Sequence, residues 1–342
     1  MKKIRLGVIG TGLAFRDLHL PVLMELHEQF EIVALFNRTE SRAHDTATSI
    51  AEKSGYTPDV VSTMEDLLNR DDIEAVDIAV PINLTTNTAT SALEKGKHVF
   101  AEKPIADNVK EGQALIELAR SKGRVLAVGE NFRFQRRFHQ MRELVQSGLI
   151  GDAQVYRLND MHYTYPDWKF PSTAWRKEGD FAGGYLIDGG VHTVAGMRSM
   201  VGSRVTAVHG LTAAFNPQLL SNQDDTLLLQ LTFENGMIGQ MALGYGAIDR
   251  DARKPKVYGR EGTLTLFSDH IEHWLIGKDE PTQTIPVELN GDGFREEWLD
   301  FYNAVATGSP LISPPEYALV DLKIIMAGIE SARSGQVVKL ED

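Results

Sequence analysis

From the amino terminus to about residue 130, short β-rich runs that are apolar on both faces alternate with helix-like stretches, and few folds accept that order. "IRLGVIG" (Ile4 to Gly10), "FEIVALFN" (Phe30 to Asn37), "EAVDIAVP" (Glu74 to Pro81), "HVFAEKP" (His98 to Pro104) and "RVLAVGE" (Arg124 to Glu130) read as strands. Between them, "LHLPVLMEL" (Leu18 to Leu26), "SRAHDTATSIAEKSG" (Ser41 to Gly55) and segments 84–95 and 107–122 read as helices. Strands buried on both faces and separated by helices predict a parallel, doubly wound sheet.

The pattern changes near Gly151. "AQVYRLNDMHY", "RVTAVHGLTAAF", "DTLLLQLTF", "GMIGQMALGY" and "KVYGREGTLTLF" follow one another across turn-like breaks, and Asn-Gly inside "FENGM" (Phe233 to Met237) marks a hairpin. The fold class expected is therefore α/β: a Rossmann domain over 1–130, then an α/β domain over 131–342 with a large, open, mainly antiparallel sheet. Helices expected at 294–306 and 316–334 could pack back on either domain. A chain of 342 residues suits two domains of ordinary size.

Composition narrows the function. A formal charge of −12 argues against a nucleic-acid partner, which needs a basic face. The basic run "RFQRRF" (Arg133 to Phe138) is short and reads as a helix cap. There are no cysteines, hence neither disulfides nor thiolate metal sites. No apolar run approaches the roughly 20 residues that span a bilayer. "MKKIRLGVIG" runs straight into a strand pattern with no signal-peptide region, so a cytoplasmic setting is expected.

"GVIGTGLAF" follows a strand and leads into a helix, the context of a dinucleotide-binding turn. Gly10 would allow the tight turn and Gly12 the approach of a pyrophosphate, with Thr11 and Leu13 completing the loop. The third glycine position of the fingerprint falls on Phe15. At the end of the second strand, where an NAD site usually carries a carboxylate, stand Asn37, Arg38 and Thr39. With nothing there to repel a 2′-phosphate, NADP is favoured and NAD remains possible. Arg38 as a solvated loop charge, or stacked on adenine with either cofactor, is the competing reading.

"FAGGYLIDGGVHTVAGMRSMVG" (Phe181 to Gly202) reads as a helix burdened by four glycines in its first half, each costing about 1 kcal/mol in a helix interior. That cost implies a close approach to its backbone. Asp188 and His192, four apart, would emerge on one face, and a carboxylate beside an imidazole orients it for proton transfer. An ordinary helix-surface pair is the alternative. A metal site is not expected, because no third ligand pattern accompanies them.

These features in this order closely resemble the Gfo/Idh/MocA family of oxidoreductases. "ALEKGKHVFAEKP" (Ala92 to Pro104) is similar to its most typical segment. "WRKEGDFAGGYLIDGGVH" (Trp175 to His192) is similar to its second signature, and "FRF" with "SGLIGDAQ" to the stretch joining its domains. The resemblance covers essentially the whole chain. It implies hydride transfer between a nicotinamide cofactor and a carbinol or carbonyl carbon, with Lys103, Asp188 and His192 as the catalytic groups. It also places Glu102, Trp175, Arg176, Pro81 and Asn83 around cofactor and substrate, and allows a cis bond before Pro104. One departure stands in "VPINLT": Thr85 occupies a place where family members often carry histidine, which alters the expected wall of the site.

The substrate class implied is a sugar, inositol-like polyol or related small hydroxy or keto compound. A non-catalytic dinucleotide-binding sensor of the same fold and a dihydrodiol-type dehydrogenase are alternatives. The aromatic segment "DMHYTYPDWKFPSTAWR" (Asp160 to Arg176) would form either a substrate rim or a loop packed on its own rings. An open sheet needs a cover, so a homodimer or homotetramer is expected.

Overall fold

Six parallel strands form the sheet of the amino-terminal region in the computed structural model, which describes residues 2–179, 181–216, 218–219 and 223–341. They are β1 (Ile4–Ile9), β2 (Phe30–Phe36), β3 (Asp59–Val60), β4 (Ala75–Ile78), β5 (His98–Glu102) and β6 (Leu126–Gly129). Their order across the sheet is β3-β2-β1-β4-β5-β6, so the winding reverses between β1 and β4. Ligands of open α/β sheets bind outside the carboxyl ends of the strands at such a reversal. The expected strands are all present; β3, of two residues, was too short to show a pattern.

The chain divides into two compact units, Met1–Asn131 with Phe294–Leu319, and Phe132–Gly293 with Val320–Asp342. In the first, helix Phe294–Thr307 lays Trp298 flat on Phe100 of β5, ring centroids 4.0 Å apart, and Phe301 beside it. Phe30 and the buried Ile4, Leu6, Val8 and Phe15 complete that core. Phe15, which fills the third glycine position of the fingerprint, is wholly buried.

The second unit holds nine strands: β7 (Ala153–Met161), β8 (Val205–Ala213), β9 (Thr226–Phe233), β10 (Ile238–Gly244), β11 (Lys256–Gly259), β12 (Gly262–Leu266), β13 (His270–Leu275), β14 (Gln283–Pro286) and β15 (Val338–Lys339). The order is β14-β13-β12-β11-β7-β10-β9-β8-β15, antiparallel except for the parallel pair β7 and β10. Gly236, at φ +86°, turns the chain between β9 and β10, as the Asn-Gly signal predicts. "KVYGREGTLTLF" is two strands rather than one, because Arg260 and Glu261 turn the chain between β11 and β12.

One face of this sheet carries helices; Gly328 of helix Pro315–Ser334, for example, lies against Leu229. The other face leaves Leu211, Leu228 and Ile238 exposed, with Leu211 and Leu228 opposite one another in the register. Among the described residues no helix is long and apolar enough to cross a membrane. The basic run is engaged internally: Arg133 pairs with buried Asp321, and Arg136 grips Glu143 and Glu288 at 2.8 Å each.

The segment 181–202 departs from the expected single helix. It forms Gly184–Asp188 and Gly190–Val201, broken at Gly189. A Cβ at Gly189 would lie 2.4 Å from the Tyr245 hydroxyl, and one at Gly190 3.0 Å from Leu243. The close approach demanded by these two glycines is therefore made by side chains of the sheet. Asp188 ends one helix and His192 belongs to the next, so the argument from four-residue spacing on a continuous helix does not hold.

Candidate active site

In the first unit, β1 ends at a turn that only glycine can make. Gly10 has φ +98°, and a Cβ there would lie 2.4 Å from the Ala79 carbonyl oxygen. The Thr11 amide donates to Asn37 Oδ1 at 3.1 Å, and Asn37 Nδ2 donates to the Thr39 carbonyl at 2.9 Å. Asn37 thus ties the loop after β1 to the loop after β2, and its amide is not left for a 2′-phosphate. Arg38 is exposed and makes no ion pair among the described residues. Around Gly12 nothing lies within 4 Å of a built Cβ, and the buried Thr11 hydroxyl has no hydrogen-bond partner. Open space beside a glycine turn and an unsatisfied hydroxyl suit a dinucleotide phosphate, so these residues fit the cofactor that the fold implies. Leu13 follows, half-buried, at the start of the helix.

At the end of β4, Pro81 precedes helix Ile82–Glu94; Pro81 is half-buried and Asn83 exposed. Thr85 is buried and its hydroxyl donates to the Pro81 carbonyl at 3.4 Å, so that group is committed within the helix.

At the end of β5, Lys103 and Pro104 are joined by a cis peptide bond. Glu102 turns its carboxylate inward. Its Oε1 lies 2.8 Å from His19 Nε2, and its Oε2 accepts the Lys103 amide at 3.1 Å. The opposite ring nitrogen of His19 sits 2.9 and 3.0 Å from the two oxygens of Asp77, on β4. His19 and Asp77 are wholly buried, and Phe100 and Trp298 meet the imidazole edge-on at 5.5 and 5.6 Å. Burial alone would lower the His19 pKa, but the two carboxylates, Asp77 first, override it and hold the ring charged well above the ordinary range. Burial likewise raises Asp77, so the group keeps its proton as a unit. Glu297, from helix Phe294–Thr307, is buried nearby without a hydrogen-bond partner for either oxygen. Burial first, then the neighbouring Glu102, pushes its pKa far upward.

In the second unit, Asp188 is held by Arg176. The guanidinium Nε donates to Asp188 Oδ2 at 2.6 Å and Nη2 to Oδ1 at 3.3 Å. Arg176 also stacks on Trp175 at 4.1 Å and donates to the Thr173 hydroxyl at 3.2 Å. His192 stacks on Phe132, centroids 5.0 Å apart at 27°. Its neighbour Thr193 donates to Asp160 Oδ2 at 2.6 Å, while Arg253 donates to Oδ1 at 2.7 Å. Burial pushes Asp160 up, but hydrogen bonds from His162 and the Arg253 charge outweigh it and hold the carboxyl well below its usual range. Arg253, at φ +61°, is the one non-glycine with positive φ among the described residues. In the aromatic segment, Tyr163, Tyr165 and Trp168 pack in series at 4.8 and 5.2 Å, with Tyr165 and Trp168 still exposed.

His19, Asp77 and Glu297 were not singled out from the sequence. The available signal was Asp77, a carboxylate inside an otherwise apolar strand. The pairing of Arg176 with Asp188 was equally silent, because it depends on the turn between the two residues.

Comparison with known proteins agrees with this architecture. Residues 4–130 match the family model described as "Oxidoreductase family, NAD-binding Rossmann fold", and residues 142–340 the one described as "Oxidoreductase family, C-terminal alpha/beta domain". A crystal structure of an oxidoreductase from Thermotoga maritima is 33% identical, with a TM-score of 0.90, covering 99% of this chain and 98% of its own. A dehydrogenase from Fusarium mangiferae is 26% identical over 98% of this chain and 99% of that protein. The scyllo-inositol 2-dehydrogenase (NADP(+)) IolW of Bacillus subtilis is 23% identical over 99% of this chain and 96% of its own. The chain belongs to the Gfo/Idh/MocA family of oxidoreductases, enzymes that use a nicotinamide cofactor.

Proposed function

We propose that the protein transfers hydride between NADP(H) and a sugar, an inositol-like polyol or a related small hydroxy or keto compound, with Lys103, Asp188 and His192 as its catalytic groups. The observation that carries this reading is Lys103 at the carboxyl end of β5, one strand from the reversal of the sheet, with its amide fixed by Glu102. The NADP-dependent inositol dehydrogenase among the relatives supports the substrate class and the cofactor. So does the free, exposed Arg38 where an NAD site would carry a carboxylate.

When bound, the nicotinamide ring accepts the hydride or returns it. A carbinol carbon releases hydride as its hydroxyl loses a proton, and His192 takes that proton as the general base. Lys103, as the ammonium, stabilises the alkoxide charge that develops on the same oxygen. Asp188, held in place by Arg176, binds an adjacent substrate hydroxyl. In reduction, His192 returns the proton to the oxygen. Trp175, stacked on Arg176, walls Asp188. Screening polyols, aldoses and aromatic dihydrodiols with NADP⁺ for reduced nicotinamide tests the reading. Turnover of a polyol or aldose supports it; cofactor binding without turnover of any compound points to a sensor instead.

We further propose that the uncovered sheet face bearing Leu211, Leu228 and Ile238 joins copies of this chain into a dimer or tetramer. A monomeric mass in solution contradicts this.

A further inference from the structure

We propose that His19 is a positioning residue for Lys103: its buried ring, fixed on one side by Asp77, locks the Glu102 carboxylate, which in turn holds the Lys103 amide. The inference rests on the reading of Lys103 as catalytic. Both ring nitrogens of His19 face carboxylate oxygens, at 2.8 Å on one side and 2.9 to 3.0 Å on the other. Where both carboxyl groups are ionised they only accept, so both ring nitrogens donate and the ring is cationic.

Stability alone does not account for such a cluster. A buried charged group replaced by apolar side chains of similar size often leaves a protein as stable, or more so. This one sits at the ends of β4 and β5, and its chain of bonds runs in one direction. Asp77 fixes the ring, the ring fixes Glu102 Oε1, and Glu102 Oε2 fixes the first backbone group of Lys103. The helix that carries His19 includes a π-helical stretch, Phe15–His19, a form of winding that recurs at functional sites. The titratable groups bonded to the ring are Asp77 from β4 and Glu102 from β5; Glu297, from helix Phe294–Thr307, interacts with the ring's charge and with Glu130, which follows β6. The ring donates to Glu102 Oε1 at 2.8 Å while Glu102 Oε2 accepts the lysine amide at 3.1 Å. Without the ring that first bond is lost, and the hold of Glu102 on the lysine amide loosens.

Protein labelled with ¹⁵N-histidine and ¹⁵N-lysine tests this by NMR titration from about pH 6 to about pH 9. In the wild type, both His19 ring nitrogens stay protonated throughout and the Lys103 amide signal does not titrate. In His19→Gln, the Lys103 amide signal moves from its wild-type position and becomes pH-dependent. On a substrate found by the screen above, its kcat falls about 10²-fold with KM for the cofactor unchanged within a few-fold. A purely structural histidine lowers stability but leaves the Lys103 amide titration as in the wild type, and that result overturns the inference. So does a wild-type His19 ring that loses a proton below about pH 7, a measurement that needs no variant. The NMR result stands whether or not Lys103 proves catalytic, because it does not use turnover.

Discussion

Arg176 and Asp188 form a nearly buried, two-bond ion pair, with the guanidinium also stacked on Trp175. Removing the guanidinium takes away a charge that two bonds hold on a buried carboxylate. Arg176→Ala should lower the free energy of unfolding by about 3 to 5 kcal/mol, read from urea denaturation at neutral pH. A loss below about 1 kcal/mol is what an exposed pair gives, and would show that Asp188 is not held in the manner described.

The two glycines of the first turn are expected to fail differently. Gly10→Ala meets the Ala79 carbonyl and a positive φ, so it should destabilise the fold itself. Gly12→Ala meets nothing in the protein. It should unfold like the wild type yet bind the dinucleotide about 10- to 100-fold more weakly, since the added methyl occupies the approach of the pyrophosphate. Fluorescence titration with reduced nicotinamide checks this; unchanged affinity places the cofactor elsewhere.

Arg38 should decide cofactor choice. Arg38→Ala is expected to raise KM for NADP⁺ by about 10- to 100-fold while leaving that for NAD⁺ unaltered, the value of a lost charged hydrogen bond to a phosphate. Equal effects on both cofactors favour adenine stacking, and no effect on either makes Arg38 a solvated loop charge.

Glu297 gives the fold a pH dependence whose sign is fixed by its surroundings. Its folded pKa lies well above 4.5, so the native state holds a proton that the unfolded chain releases. The stability associated with that proton is complete below about pH 4.5 and declines as pH rises toward the folded value. Glu297→Gln keeps the shape and removes the titration. Its stability relative to the wild type should therefore grow with pH, by at most about 1.4 kcal/mol per unit. Denaturation at several pH values measures the gap; a constant difference shows that Glu297 ionises in the native state.

The fold was readable because its determinants are local. Short apolar runs bounded by turn residues, such as Val99 to Ala101 between Gly96 and Pro104, read as buried strands, and the Gly10 turn carries its own signature at the end of β1. The edges were harder. In β13, His270, Glu272 and Trp274 face one way and Ile271 and His273 the other, a weak alternation, and β14 is mostly exposed. The glycines near Asp188 misled for a physical reason: the cost of glycine shows that something comes close without showing what, and at Gly189 it is Tyr245. The cluster around His19 was invisible because its partners lie 58 and 83 residues away, at distances that no spacing rule spans.

Turnover by Lys103→Ala tests the central claim most directly. With a substrate found by the polyol and aldose screen, the variant should lose about 10²- to 10⁴-fold in kcat while binding reduced nicotinamide as the wild type does. A rate within a few-fold of wild type contradicts the account, since the strand end and its braced lysine would then have no part in the chemistry.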